Sequence, residues 1–125
     1  MQDNIRRGDI YYADLGKGIG SEQNGLRPVV IVQNNAGNRY SPTTIVVSAV
    51  TSKITKPLLP THISLSDVSG LTKNSLLLLE QIRTIDCKRL KEYVGHLDNH
   101  MMSKANEALK ISLGLHEKTR ISYEF

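Results

Sequence analysis

Pro28-Val29-Val30-Ile31-Val32-Gln33 is an apolar run bounded by a proline and a glutamine. A run this short and this rich in β-branched residues predicts a strand buried on both faces or central to a sheet, not a helix. Proline at its start is tolerated, because the missing N–H falls outside the ladder. Outward from it, residues 43–51 (Thr-Thr-Ile-Val-Val-Ser-Ala-Val-Thr) are almost wholly β-branched and predict a second core strand. Residues 75–85 predict a third, apolar early and alternating later. Residues 7–15 and 61–65 predict two more.

The connections carry turn chemistry. Residues 16–25 contain four glycines (Gly16, Gly18, Gly20 and Gly25), which predicts a mobile surface loop. Residues 34–42 are turn-rich, residues 52–60 hold Pro57 and Pro60, and a turn falls near Ser69-Gly70. From Asp86 the period changes. Asp86 is expected to cap a short helix through Leu90 and Tyr93 that Gly95 stops. Asp98 is expected to cap a longer one, with Met101, Ala105, Ala108, Leu109, Ser112 and Leu115 at three- and four-residue spacing. Residues 116–125 are polar and unpatterned, which predicts a poorly ordered tail. Strands first and helices last give an α+β class, mainly β, with a compact and strongly curved sheet.

The length, 125 residues, suits one domain (1–125, with its core at about 5–115) and lets it bury a real core without staples. One cysteine, Cys87, excludes an internal disulfide framework and a thiolate metal cluster within one chain. No apolar stretch follows the charges at the amino terminus and none elsewhere is long enough to span a bilayer, so the expectation is a cytoplasmic protein. Sixteen Lys and Arg against twelve Asp and Glu give +4, a balance that favours polyanionic partners. That charge is not clustered: residues 1–82 and 83–125 each carry eight basic and six acidic groups.

Several chemistries fail on spacing. Gly16-x-Gly18-x-Gly20 lacks the Gly-x-Gly-x-x-Gly interval of a dinucleotide site and leads into another strand. His96 and His100 are four apart, but Asp98 between them looks like a helix cap, so they read as two surface histidines. Glu80 and Asp86 do not form an acidic cluster able to hold two magnesium ions. No metal or other cofactor is expected. Arg27 is different, because it joins the glycine loop to the buried run. That puts a permanently charged, forked donor at a strand end, where it could grip a phosphate or make a surface salt bridge.

Taken together, the segments resemble one family. Arg7-Gly8-Asp9-Ile10-Tyr11, then Gly20-Ser21-Glu22-Gln23-Asn24-Gly25-Leu26-Arg27-Pro28, is similar to the opening of MazF/PemK (Kid-like) toxins. Gln33-Asn34-Asn35-Ala36-Gly37-Asn38-Arg39-Tyr40-Ser41-Pro42-Thr43, Leu59-Pro60-Thr61-His62 and residues 78–86 continue the likeness, and residues 108–113 match the closing helix. The pattern looks most like the Gram-positive branch. The resemblance implies an SH3-like small barrel with C-terminal helices, acting as a homodimer that cleaves single-stranded RNA and is held by a MazE-type antitoxin. It places the catalytic arginine on Arg27 and the catalytic threonine on Thr51, with Ser48 and Ser52 as neighbouring hydroxyls that could take the same role. The general base is expected at Glu22 or His62. Gly20, Ser21, Gln23, Asn34, Ser52, Ser75 and Gln81 are expected to contact RNA. Two rivals share so small a barrel: a toxin that binds a protein such as DNA gyrase, and a plain nucleic-acid-binding module.

Overall fold

A computed structural model of the chain describes residues 4–40, 43–53, 58–72 and 74–115. The tail at 116–125 and the middle of the loop at 52–60 lie outside the described residues. Strands β1 (Asp9–Asp14), β2 (Leu26–Ile31), β3 (Thr44–Thr51), β4 (His62–Ser64), β5 (Leu76–Asp86) and β6 (Leu90–His96) form one antiparallel sheet. Their order is β4-β5-β3-β2-β1-β6, so β2 and β3 are interior.

The run that opened the sequence analysis is indeed buried on both faces. Val29 and Ile31 enter one core and Val30 enters the other, all with no exposure. The first core is built almost entirely from strand residues, among them Tyr11, Val29, Ile45, Val47, Ile85 and Leu90. Strands β4 and β6 are the edges of this sheet and do not pair with each other among the described residues. On the opposite face lies α2 (Asn99–Ser112), capped as predicted by Asp98, whose carboxylate accepts the Met101 N–H at 2.8 Å. Small residues at the buried positions, Ala105 and Ala108, let the helix sit close to Val30, Leu77 and Leu79.

Two elements differ from expectation. Asp86 does cap, but only a single 3-10 turn (Cys87–Arg89), and the chain then continues as β6 instead of a helix ended by Gly95. The reason is pairing: β6 runs antiparallel to β1, with Tyr93 opposite Tyr11 and their rings edge to face at 5.4 Å. Its exposed Lys91 and Glu92 are what an edge strand shows to solvent, and they hide the strand's apolar side from a periodicity reading. The turn-rich segment after β2 forms a short helix, α1 (Asn35–Tyr40).

Strand β5 is bulged. Ser48 lies opposite Ile82 while its neighbour Ala49 lies opposite Leu78, leaving residues 79–81 without partners on β3. Ser48 is fully buried at this step, and its hydroxyl donates to the Leu78 carbonyl at 2.8 Å. A bulge redirects side chains, and here it hands Glu80 to β4 and Gln81 to the glycine loop. The packing predicts two separate magnitudes in urea denaturation. Leu79→Ala, which empties a fully buried position, should cost about 2–5 kcal/mol, whereas Asp98→Ala should cost about 1 kcal/mol through its lost cap.

Candidate active site

Arg27 sits near the start of β2, opposite Ala13 of β1. On its other side the β2–β3 ladder ends where Val29 pairs with Ala49, so Arg27 and Thr51 each lie two residues past the same end of that ladder. Arg27 is half-buried, and its Nε donates to the Asn24 carbonyl at 2.9 Å. Thr51 is 7% exposed, and its hydroxyl oxygen accepts the Lys53 N–H at 3.1 Å. Ser52 beside it is exposed. Ser48 is spent inside the sheet on Leu78, so it is no substitute for Thr51.

The glycine loop closes over this end of the sheet. Ser21 accepts from Gln81 Nε2 through its carbonyl at 3.3 Å, so the loop is tied to the β5 bulge. Gly20, next to it, is exposed at φ +60. Glu22 is exposed, and one carboxylate oxygen accepts the Ile19 N–H at 2.9 Å. Gln23 is half-buried, and its Oε1 is shielded from water with no partner among the described residues. Thus Arg27 and Thr51 lie past one end of the β2–β3 ladder, Ser52 follows Thr51 in sequence, and the loop that carries Gly20, Ser21, Glu22 and Gln23 into Arg27 is tied to Gln81 through Ser21.

Other expected residues do not join them. Asn34 lies past the far end of β2, about 20 Å along the strand at ~3.3 Å per residue, and its side chain caps α1 by accepting the Gly37 N–H at 2.7 Å. Ser75 is buried at 4% exposure, and its hydroxyl is shared with Thr72 at 3.1 Å, so it closes a turn and presents nothing to a base. His62 is on β4, opposite Leu78. Its Nδ1 accepts the Leu59 N–H at 3.1 Å, which leaves the hydrogen on Nε2, donated to Glu80 at 2.9 Å. With both nitrogens engaged in this way, His62 is not poised to take a proton.

Glu80 is the residue sequence reasoning undervalued. It accepts from Thr61 Oγ1 at 2.8 Å and from His62, which braces β4 against the bulge. Burial by itself raises its pKa, but the hydrogen bonds from His62 and Thr61 outweigh that and hold it below its ordinary value. Nothing in the sequence marks this trio, because the bulge creates it. His96 is likewise no idle surface histidine: it bonds the buried Asp9 at 2.6 Å. Burial, and then the neighbouring Asp86, pushes the Cys87 thiol up, so it is a weak nucleophile. Among the described residues no group of three His, Cys, Asp or Glu converges as a metal site. Two concave clefts lie elsewhere, about 310 Å³ beside the start of α2 and about 410 Å³ between Arg7 and the end of α2.

The six-stranded antiparallel sheet with a helix on one face is a fold shared with known proteins. Residues 6–113 match the family of PemK-like, MazF-like toxins of type II toxin–antitoxin systems. The chain is 53% identical over 112 residues to the Bacillus subtilis endoribonuclease EndoA, covering 89% of this chain and 96% of that protein. It is 52% identical over 113 residues to the endoribonuclease MazF of Staphylococcus saprophyticus, covering 90% and 93%. Among solved structures, a mycobacterial endoribonuclease in complex with its cognate antitoxin superposes with a TM-score of 0.74 at 31% identity, covering 90% of this chain and 97% of that one. The chain belongs to the MazF/PemK family of type II toxins.

The Glu80 trio has a pH signature. A carboxylate whose pKa is lowered on folding stabilises the fold above its unfolded value and loses that contribution as pH falls through the folded one. Glu80→Gln should therefore be less stable than the natural protein at neutral pH. In denaturant titrations the gap should close as pH drops below the ordinary glutamate value of 4.5.

Proposed function

We propose that this endoribonuclease-type toxin cuts single-stranded mRNA at a specific short sequence, independently of the ribosome and without a metal ion. The observation that carries the reading is the placing of Arg27. It is half-buried near the start of its strand, past the same end of the β2–β3 ladder as Thr51, and anchored through Nε, with terminal nitrogens that meet no acceptor among the described residues.

RNA supplies its own nucleophile, so no metal-activated water is needed. The 2′-hydroxyl attacks the adjacent phosphorus and the 5′ oxygen leaves, giving a cyclic phosphate and a 5′-hydroxyl end. The protein has to accept one proton, deliver one, and stabilise charge gathering on the phosphorane oxygens. Arg27 suits the last task through paired N–H donors, and suits delivery to the leaving oxygen. A permanently charged guanidinium is a poor base. The Thr51 hydroxyl donates to the same phosphate, its hydrogen oriented because its oxygen already accepts from Lys53. The accepting base is assigned to Glu22, exposed and with a second oxygen not used by the Ile19 turn. His62 instead holds the β4 side of the site in shape.

Gly20, Ser21, Gln23, Ser52 and Gln81 supply donors and acceptors that unstacked bases present edges to. An entering base competes with the Ser21 carbonyl for the Gln81 amide, so binding and loop movement are linked. The protein is proposed to act as a homodimer in the cytoplasm, where mRNA is, and to be held by a MazE-type antitoxin. An acidic antitoxin tail complements the net charge of +4.

Arg27→Ala should lower the rate of cleavage of a long unstructured RNA by about a thousandfold with an unchanged circular dichroism spectrum. The natural protein should keep its rate in EDTA. Undiminished cutting by the variant, or activity that EDTA removes and magnesium restores, would overturn the proposal.

A further inference from the structure

We infer that the peptide joining Asn24 to Gly25 aims the Arg27 guanidinium, which makes Gly25 a positioning residue for cleavage. The inference rests on Arg27 acting at the phosphate, as proposed above. Its basis is a small hydrogen-bonded frame. The Asn24 carbonyl accepts from Arg27 Nε at 2.9 Å. The same peptide unit is pinned from its other side, where Gly25 N–H donates to the Gly16 carbonyl at 2.8 Å, and the following unit is held by its Gly25 carbonyl, which accepts from Leu15 N–H at 2.9 Å. Opposite, Gly16 N–H donates to the Asp14 carboxylate at 2.9 Å, and Arg89 donates to the Asp14 carbonyl at 3.0 Å.

Gly25 has φ +72, the left-handed region, and a Cβ built there meets nothing within 4 Å. Glycine is therefore required at this position by backbone conformation and not by crowding. A guanidinium is a rigid planar fork, so fixing Nε–H on a carbonyl orients the two terminal nitrogens together. They are held in place before the substrate arrives, which removes the need to order a long flexible side chain during the reaction. A residue that resists positive φ turns the Asn24 carbonyl off Nε. The charge stays near the site, so RNA still binds, but the fork is misaimed when charge develops on phosphorus.

This makes the expected ranking of substitutions unusual. Asparagine tolerates the left-handed region better than alanine, and valine tolerates it least. Conformation therefore predicts activity in the order Gly, Asn, Ala, Val, whereas simple obstruction of RNA by a side chain predicts that Ala exceeds Asn. Cleavage kinetics of an oligonucleotide spanning a mapped cut site should be measured for Gly25→Asn, Gly25→Ala, Gly25→Val, Arg27→Ala and Gly114→Ala. Gly114, with φ +73 after α2, carries a similar backbone demand far along the chain from Arg27.

Gly25→Ala and Gly25→Val should lower kcat by about ten- to a hundredfold with KM changed by less than about twofold. Gly25→Asn should retain more activity than Gly25→Ala, and Gly114→Ala should keep the natural kcat. In NMR spectra the Arg27 Nε–H should exchange slowly with solvent in the natural protein and in Gly25→Asn, and quickly in Gly25→Ala, a readout that holds even where stability falls. Greater activity of Ala than Asn, a raised KM at constant kcat, or an unaltered Gly25→Val would each overturn the inference. Full activity of Gly25→Val beside an inactive Arg27→Ala removes this inference alone. An active Arg27→Ala removes the catalytic reading and this inference with it.

Discussion

The second half of strand β2, Val29 to Ile31, has no face left for water, and the rest of the molecule is arranged around that fact. Val29 and Ile31 fill one core and Val30 the other, so sliding the strand by one residue would exchange the two sets and empty both. Register is thereby fixed, and with it the position of everything along the strand. Arg27 and Thr51 each lie two residues past the Val29–Ala49 pair that ends the β2–β3 ladder. The hydrophobic cores thus set the geometry of a charged site that neither of them contains. A functional group at the end of so strongly constrained a strand inherits its precision from packing several ångströms away.

The β5 bulge does the complementary work. Consecutive residues in a regular strand serve opposite faces, but residues 79–81 are released from β3 and serve three different neighbours. Leu79 remains in the core, its N–H bonding the Thr61 carbonyl at 3.0 Å. Glu80 ties down Thr61 and His62, and Gln81 reaches the Ser21 carbonyl. One local irregularity therefore couples the short edge strand β4 to the loop over Arg27. It also explains a serine in a fully apolar environment, since the Ser48 hydroxyl meets the Leu78 carbonyl at the step.

What could be read in the sequence followed from how local its cause was. Strands β2 and β3 are legible because their burial leaves only β-branched and apolar residues, and α2 is legible from Asp98 and its spacing. Strand β6 was not, because Lys91 and Glu92 face solvent at an edge and its partner β1 lies some eighty residues earlier. The MazF/PemK resemblance pointed to Arg27 and Thr51, which lie past the same end of the β2–β3 ladder. Asn34 and Ser75 looked like RNA contacts by residue type alone, but one caps α1 and the other closes a buried turn. The Asn24 carbonyl had no signature of its own, since every residue has a carbonyl. Only the glycine after it gave a hint.

The pairing of the first strand with the last has a consequence for how the protein comes off the ribosome. β1 frames the loop over Arg27, and its outer neighbour is β6, with Asp9 and His96 joined at 2.6 Å across a separation of 87 residues. Arg89, which steadies the start of that loop, also arrives late in translation. A nascent chain can fold neither the last ladder nor the loop's support until this distant segment has left the exit tunnel, because non-local pairs form only when both partners exist. Synthesis order therefore delays completion of the sheet, and a truncated product ending before β6 lacks the ladder with β1 and the His96 bond to Asp9.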